Sequence, residues 1–112
     1  MAYKTFDILM EWGGIYHDCW FVSATYAVDN ESLAVLVESS DGAIGTATVY
    51  LGEVPKDYAY IDVNNFPEIV EVIERLGVAE HTGIFTKSGF VVYPLYKFNR
   101  EKLSEYERGK NE

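Results

Sequence analysis

The chain has 112 residues and a mass of 12.7 kDa, the usual size of a single domain. Hydrophobic residues make up 48% and charged residues 24% of it, which excludes wholesale disorder, collagen-like structure and a coiled coil. Its one cysteine excludes an internal disulfide. No apolar run approaches the ~20 residues that span a bilayer, and the N-terminus lacks the pattern of a signal peptide. We therefore expect one domain over residues 1–112, located in the cytoplasm.

The charge is strongly acidic and unevenly distributed. Eighteen acidic residues stand against nine basic ones, so the net charge is −9. Residues 1–86 hold fourteen acids and three bases, a net −11, whereas residues 87–112 hold four acids and six bases, a net +2. Binding to nucleic-acid phosphates or to an anionic membrane needs a basic surface, so neither is expected. Two explanations of the acidity stay open: solubility, or a partner with strong positive potential.

Alternating apolar residues predict a β-hairpin at the start of the chain. The even positions of residues 6–12 are apolar, which is the period of a half-buried strand. Gly13-Gly14 suits a two-residue turn, and the next strand covers residues 15–22. In this register His17 and Cys19 lie on the buried face, with the apolar residues. The opposite face carries Asp7, Glu11, Tyr16, Asp18 and Trp20.

A second hairpin is predicted around Asp41-Gly42, a dipeptide typical of two-residue turns. Strands over residues 33–39 and 43–51 flank this turn, and Glu38 and Asp41 lie near its tip. A short strand over residues 58–62 follows.

One amphipathic helix is predicted over about residues 65–76. Asn65 is the candidate N-cap, Pro67 suits the first turn, and Gly77 ends the helix. An apolar stripe with helical spacing faces the core: Phe66, Ile69, Val70, Ile73 and Leu76. The outer side carries Glu68, Glu71 and Glu74.

The last third of the chain completes the predicted fold. Residues 84–86 and 90–93 indicate a third hairpin, and Pro94 restricts its second strand to an edge or a bulge. Residues 99–112 are polar and mixed in charge, which is typical of a short helix or a frayed tail. This order of elements predicts an α+β fold, a mainly antiparallel sheet of hairpins with one helix packed on one face.

The sequence carries no recognisable catalytic or metal-binding motif. His17 and Cys19 have the spacing of a Cys–His dyad on a strand, but the predicted register places both in the core. No zinc pattern, EF-hand loop, phosphate-binding glycine motif or nucleophile elbow is present. We therefore expect no enzyme activity, no catalytic residue, no metal and no cofactor. A hydrolase that uses Cys19 and His17 stays as an alternative.

Acidic and aromatic residues are the candidates for partner binding. Aromatic side chains are enriched at protein interfaces, and carboxylates beside them suit a basic partner; a second small core is the alternative for the rings. Glutamates at every third helical position rise by ~4.5 Å per step, so they can imitate rows of phosphates; a solvated helix face is the alternative. The predicted binding set is Asp7, Glu11, Tyr16, Asp18, Trp20, Glu38, Asp41, Glu68, Glu71 and Glu74.

Short segments within residues 44–98 carry a pattern of turns, caps and aromatic residues: Tyr58–Asp62, Asn64–Pro67, Gly77, Thr82–Gly83, Ser88–Phe90 and Tyr93–Phe98. This pattern resembles a small domain-of-unknown-function family of bacterial conjugative elements and phages. The genetic setting of that family implies an inhibitor of host defence, such as an anti-CRISPR or antirestriction protein. It implies no site residues, because the shared Gly, Pro and Asn positions are turns and caps.

Charge and resemblance together lead to one function hypothesis. The chain is an acidic anti-CRISPR-type inhibitor that binds a basic nucleic-acid-targeting effector in the host cytosol. A Cas9-type nuclease, with its positively charged channel, is the expected partner, and nucleic-acid binding or cleavage is the blocked step. Two alternatives stay open: an antirestriction DNA mimic that binds a restriction enzyme, and an accessory module that forms a homodimer through the strand edge near Tyr93.

Overall fold

The computed structural model describes residues 4–28 and 31–108. Within these ranges the strands are β1 (Phe6–Met10), β2 (Gly14–Thr25), β3 (Leu33–Ser39), β4 (Gly42–Thr46), β5 (Thr48–Val49), β6 (Tyr58–Ile61), β7 (Ala79–Ser88) and β8 (Val91–Phe98). The helices are α1 (Ile69–Leu76) and α2 (Arg100–Ser104). The described strands form two antiparallel sheets, ordered β1-β2-β3-β4 and β5-β6-β8-β7. The predicted α+β class is confirmed.

The two sheets are joined at Ala47, a fully buried residue between β4 and β5. Its amide donates to the Val35 carbonyl in the first sheet, at 2.8 Å. Its own carbonyl accepts the Asp62 amide beside the second sheet, at 2.9 Å. The strand predicted over residues 43–51 is therefore wrong in its extent. The chain leaves the first sheet at Thr46 and enters the second at Thr48. Both sheets contribute side chains to the core between them, so this segment supplies a strand to each sheet.

The β1–β2 hairpin has a three-residue loop, Glu11–Gly13, instead of the predicted two-residue turn. Met10 consequently pairs with Gly14, which shifts the predicted register by an odd number of residues. Because side chains alternate between the two faces of a strand, such a shift exchanges the faces. A β-bulge at residues 17–18 then restores the predicted alternation, so that Phe6 pairs with Cys19. The prediction for Cys19, a core residue, is confirmed.

Helix α1 packs its apolar face into the core through Ile69, Val72 and Ile73. The predicted end at Gly77 is confirmed, since this residue takes the left-handed conformation (φ 71°). The predicted start at Asn65 is wrong, and the helix begins four residues later.

The Asp62 carboxylate explains the later start. It accepts hydrogen bonds from the backbone amide and the side-chain amide of Asn65, at 3.1 and 3.0 Å. Asp62 therefore nucleates a turn ahead of the helix, and Asn65 is the residue that is capped. Glu68 occupies the N-cap position without a side-chain capping bond.

The β7–β8 hairpin is longer than predicted. β8 lies between β6 and β7, so the predicted edge position of this strand is wrong, and Pro94 lies beside an irregularity of the ladder instead. β6 pairs with β8 over Leu95–Lys97, so at Pro94 the ladder pairs β8 with β7 alone. An irregularity of β7 between His81 and Phe85 lies beside this point. A missing amide is tolerated there, because no second strand needs it.

The C-terminal segment docks against β2 as far as residue 108. Helix α2 is the predicted short helix, and the Asn99 side chain caps it by accepting from the Lys102 amide at 3.0 Å. Beyond it, Phe21 donates to the Tyr106 carbonyl and accepts from the Arg108 amide. The prediction of a frayed tail is therefore wrong for residues 105–108. Residues 109–112 of that prediction lie outside the described ranges.

Gly45→Ala is expected to destabilise the protein by about 1–3 kcal/mol. A Cβ atom at Gly45 would lie 3.0 Å from Cδ2 of the buried Phe66 ring, closer than van der Waals contact. The free energy of unfolding in urea is the measurement. In a double-mutant cycle with Phe66→Leu, the smaller side chain should relieve part of the cost of the added methyl group. Strictly additive effects would show that the two groups do not meet.

Candidate partner-binding surface

Acidic residues from the first hairpin and from helix α1 come together on one side of the molecule. The Glu11 amide donates to Oε2 of Glu68 at 2.9 Å, across 57 residues of sequence. Arg75 donates through Nη2 to the Asp7 carbonyl at 3.0 Å and through Nε to the Glu71 carboxylate at 2.8 Å. We call the resulting set the acidic surface: Asp7, Glu11, Asp18, Glu68 and Glu71.

Asp7 is held at the centre of the hairpin by two donors. Its Oδ1 accepts the Asp18 amide at 3.0 Å, and its Oδ2 lies 3.2 Å from Nδ1 of His17. The bond from the Asp18 amide, followed by that from His17, lowers the pKa of the Asp7 carboxyl below its ordinary value. Asp18 itself has a positive φ of 56° in the bulge, which turns its backbone amide toward Asp7. The Asp7 carboxylate is therefore charged at neutral pH and fixed in place.

Glu68, the N-cap residue of α1, and Arg75, in its last turn, contact the open edge of the first hairpin. An edge strand exposes unpaired backbone groups, which are a template for unwanted strand pairing. The Glu68 carboxylate accepts the Glu11 amide, and the Arg75 guanidinium donates to the Asp7 carbonyl. Glu68 therefore has a structural role in addition to its charge, whereas Glu71 pairs with Arg75 on the exposed side of the helix.

Two basic residues of the C-terminal segment contact parts of the molecule outside the acidic surface. Arg100 pairs with Asp57 at 3.4 Å, and the Lys97 ammonium group lies over the Tyr58 ring, 5.9 Å from its centre. In the part of the chain that the structure describes, Asp7 contacts His17 and Arg75, and Glu71 contacts Arg75. The acidic surface therefore keeps an excess of negative charge.

Half of the predicted binding set lies elsewhere. Glu74 accepts the hydroxyl of the buried Tyr96 at 2.6 Å, so its carboxylate is directed at the second sheet. Tyr16 was predicted on the outer face, and this is wrong, since the odd register shift turns its ring to the core. The other members of the set are Trp20, half-buried under the Arg108 guanidinium, Glu38 opposite Trp20 in β3, and Asp41 in the β3–β4 turn.

Trp12 is the most exposed of the large hydrophobic residues of the first hairpin, although the sequence pattern predicts it in the core. The even spacing put Trp12 on the apolar face, but 83% of its surface is accessible in the structure. The signal that would have found it is Glu-Trp-Gly read as a three-residue loop, whose third residue takes a positive φ. Leu9 and Ile15 pair across the strands next to it, 67% and 55% exposed.

Cys19 and His17 have different environments, since the first is buried and the second is exposed. The Cys19 thiol is fully buried and lies 3.5 Å from the Tyr16 carbonyl, to which it donates. The prediction that His17 is buried is wrong, because the shifted register turns its ring outward to Asp7. Burial, with the charges of Asp7 and Asp18, raises the pKa of the Cys19 thiol to about 11. Within the described ranges, no group of three His, Cys, Asp or Glu side chains is arranged to hold a metal ion.

Cys19 is expected to be unreactive in the folded protein. At pH 8 a thiol with a pKa of about 11 is thiolate to ~0.1%, against roughly a quarter for a free cysteine. Ellman's reagent should therefore react at least ~100-fold more slowly with the folded chain than with the chain in urea. Rapid labelling of the folded protein at pH 8 would instead support the hydrolase alternative.

Asp7→Asn is expected to lower stability near neutral pH and to have less effect in acid. The folded pKa of Asp7 is lowered, so its charge stabilises the fold above the unfolded pKa of ~3.9, and this contribution is lost as pH falls through the folded pKa. Asparagine keeps an acceptor for the Asp18 amide, so the variant removes mainly the charge. Urea unfolding at pH 7 and pH 2 measures the difference. An equal loss at both pH values would contradict the assignment; the exposed Asp41→Asn is the control.

Within residues 4–28 and 31–108, none of the helices has the length and apolar composition of a membrane span. Residues 22–112 match a family described as a domain of unknown function (DUF4313). Neither a curated protein nor a solved structure matches the chain. The match begins inside β2, so β1 and the loop with Trp12 precede it, and it extends beyond the expected residues 44–98 on both sides. Because it spans most of the chain, the chain belongs to the DUF4313 family.

Proposed function

We propose that the chain is an inhibitory binding protein that docks its acidic surface onto the basic nucleic-acid-binding surface of a host effector, in the first place a Cas9-type nuclease. The observation that carries this proposal is the convergence of Asp7, Glu11 and Asp18 with Glu68 and Glu71. Two segments that carry carboxylates and lie far apart in the sequence meet there, although like charges repel one another. A partner of opposite charge gives a reason for such an arrangement.

Electrostatic matching explains how such a protein would inhibit. Cas9-type effectors hold their RNA–DNA duplex in a positively charged channel. An array of carboxylates is drawn to the same channel by long-range attraction, and its occupancy excludes nucleic acid. The array that supports this is the acidic surface, which spans a hairpin and a helix. The row of helix glutamates contributes less, since Glu74 is engaged with Tyr96 and Glu71 is partly neutralised by Arg75.

The mobile-element setting rests on the resemblance of the segments within residues 44–98 to proteins of conjugative elements and phages. An inhibitor of host defence encoded by such an element would act in the host cytosol. A restriction enzyme offers the same basic DNA-binding chemistry, so an antirestriction DNA mimic would use the same acidic surface.

Oligomerisation is the second candidate, and one observation favours it. The tip of β7–β8 exposes four apolar side chains: Ile84, Phe85, Phe90 and Val92. Pairing through a strand edge near Tyr93 has less support, because Tyr93 is buried and pairs with Thr86 of β7. Sedimentation at high salt distinguishes this candidate, since an apolar dimer persists when charges are screened.

Neutralising the acidic surface is expected to weaken effector binding at low salt. The variant is Glu11→Gln, Glu68→Gln and Glu71→Gln, in which glutamine at 68 still accepts the Glu11 amide. Its matched control is Glu53→Gln, Glu80→Gln and Glu101→Gln, three exposed glutamates that belong to other parts of the described chain. Both variants have the same net charge. We expect the dissociation constant to rise by about 10-fold or more for the first variant and by less than about 2-fold for the control.

The measurement is binding to purified Cas9-type effectors, with and without guide RNA, at low and high salt. Tight, salt-sensitive binding that competes with nucleic acid supports the proposal. If both variants weaken binding equally, net charge alone explains the effect, and the proposal that the acidic surface is the binding site is contradicted. If no effector binds, the same assay with restriction enzymes tests the antirestriction alternative.

A further inference from the structure

An exposed apolar cluster forms the tip of the first hairpin, next to the acidic surface. We call Leu9, Trp12 and Ile15 the hairpin anchor. Leu9 and Ile15 face each other across β1 and β2 on the outer side of the sheet, and Trp12 projects from the loop that joins the strands. Leaving an indole and two branched aliphatic side chains in water is unfavourable, and exposed clusters of this kind often mark interaction sites.

The loop that carries Trp12 is held on both sides of that residue. The amide of Glu11, the preceding residue, donates to the Glu68 carboxylate at 2.9 Å. Gly13, the following residue, lies directly against Tyr16, whose hydroxyl would be 3.0 Å from a Cβ atom at that position. Tyr16 in turn packs against the core. The indole is therefore presented on a supported backbone, which reduces the entropy lost when a partner covers it.

The neighbours of the hairpin anchor determine which partner suits it. Asp7 precedes Leu9 by two residues in β1, so both lie on the outer side of the strand, and Glu11 follows Leu9 by two residues at the start of the loop. A partner that covers Leu9 must also satisfy these carboxylates. Lys and Arg side chains do so, whereas nucleic acid, an anionic membrane and a second copy of this acidic face are repelled. Charge complementarity thus selects a basic segment that carries apolar side chains of its own.

We infer that Trp12, supported by Leu9 and Ile15, is the apolar anchor of the partner interface, and that it takes a basic amphipathic protein segment. This inference rests on the proposed docking of the acidic surface to a basic partner and adds the residue that makes docking specific. A desolvated tryptophan inside a charged rim is the usual composition of an interface hot spot. The tip of the β7–β8 hairpin is also apolar, but the charged residue in its turn region is Lys87. Because this residue is basic, that tip lacks the acidic neighbours that attract a basic partner.

The test uses peptides of defined chemistry and the intrinsic fluorescence of Trp12. Trp20→Phe leaves Trp12 as the single tryptophan of the chain. Three helical peptides of equal length serve as probes: Lys/Leu, Lys/Ser and Glu/Leu. We expect the Lys/Leu peptide to bind and to shift the Trp12 emission to shorter wavelength. Trp12→Ala in the otherwise unchanged chain should raise the dissociation constant, measured by calorimetry, by about 10–100-fold.

Phe90→Ala is the matched control, because Phe90 is also an exposed aromatic residue at a hairpin tip. It should change the dissociation constant by less than about 2-fold. Equal binding of the Lys/Ser peptide would overturn the anchor, and equal binding of the Glu/Leu peptide would overturn the charge requirement. Absence of any peptide binding would overturn the inference as a whole. Thermal unfolding of each variant verifies that the fold is retained.

The proposed function and this inference fail separately. If Trp12→Ala leaves effector binding unchanged while the triple glutamine variant weakens it, the function stands and the anchor is wrong. If the Lys/Leu peptide binds at Trp12 but no Cas9-type effector or restriction enzyme binds the chain, the anchor stands and the proposed host target is wrong.

Discussion

Closure of the β1 edge by helix α1 is the interaction on which the arrangement of this protein depends. Two open antiparallel sheets leave strand edges that need partners. Arg75 donates to the Asp7 carbonyl in β1, and Glu68, at the N-cap of the helix, accepts the Glu11 amide in the loop that follows β1. Ile69 and Ile73 of the same helix pack into the core. Docking of the helix therefore orders the first sheet. It also brings the acids of the helix next to those of the hairpin, so the position of the acidic surface is a consequence of how the edge is covered.

Charge and fold are carried partly by the same side chains. The Asp7 carboxylate accepts the Asp18 amide, and that of Glu68 accepts the Glu11 amide. At Asp7 the hydrogen bond from the Asp18 amide favours the ionised carboxyl, so it helps to offset the repulsion among neighbouring carboxylates. Reversal of charge at these positions would remove a fold contact together with the charge. Substitution by amides, which keep an acceptor oxygen, separates the two effects.

The first hairpin combines two surface types that are usually kept apart. Its outer side alternates carboxylates with apolar side chains, and Trp12 stands at its tip on a loop supported by Tyr16. An acidic rim attracts a basic partner from a distance, and an apolar centre slows its release once water is excluded. Because the DUF4313 match begins at residue 22, most of this hairpin precedes the matched region, whereas Glu68 and Glu71 lie within it.

Local patterns in the sequence were sufficient for the class of the fold, the hairpins, the end of the helix at Gly77, the burial of Cys19 and the acidic character of the surface. These depend on composition, on residue period and on glycine conformation, which act within a few residues. Only the tertiary structure decided the faces of the first hairpin, since one extra loop residue exchanged them and exposed Trp12. It also decided that the chain changes sheets at Ala47 and that Glu68 meets Glu11, because contacts across 57 residues depend on how whole elements pack.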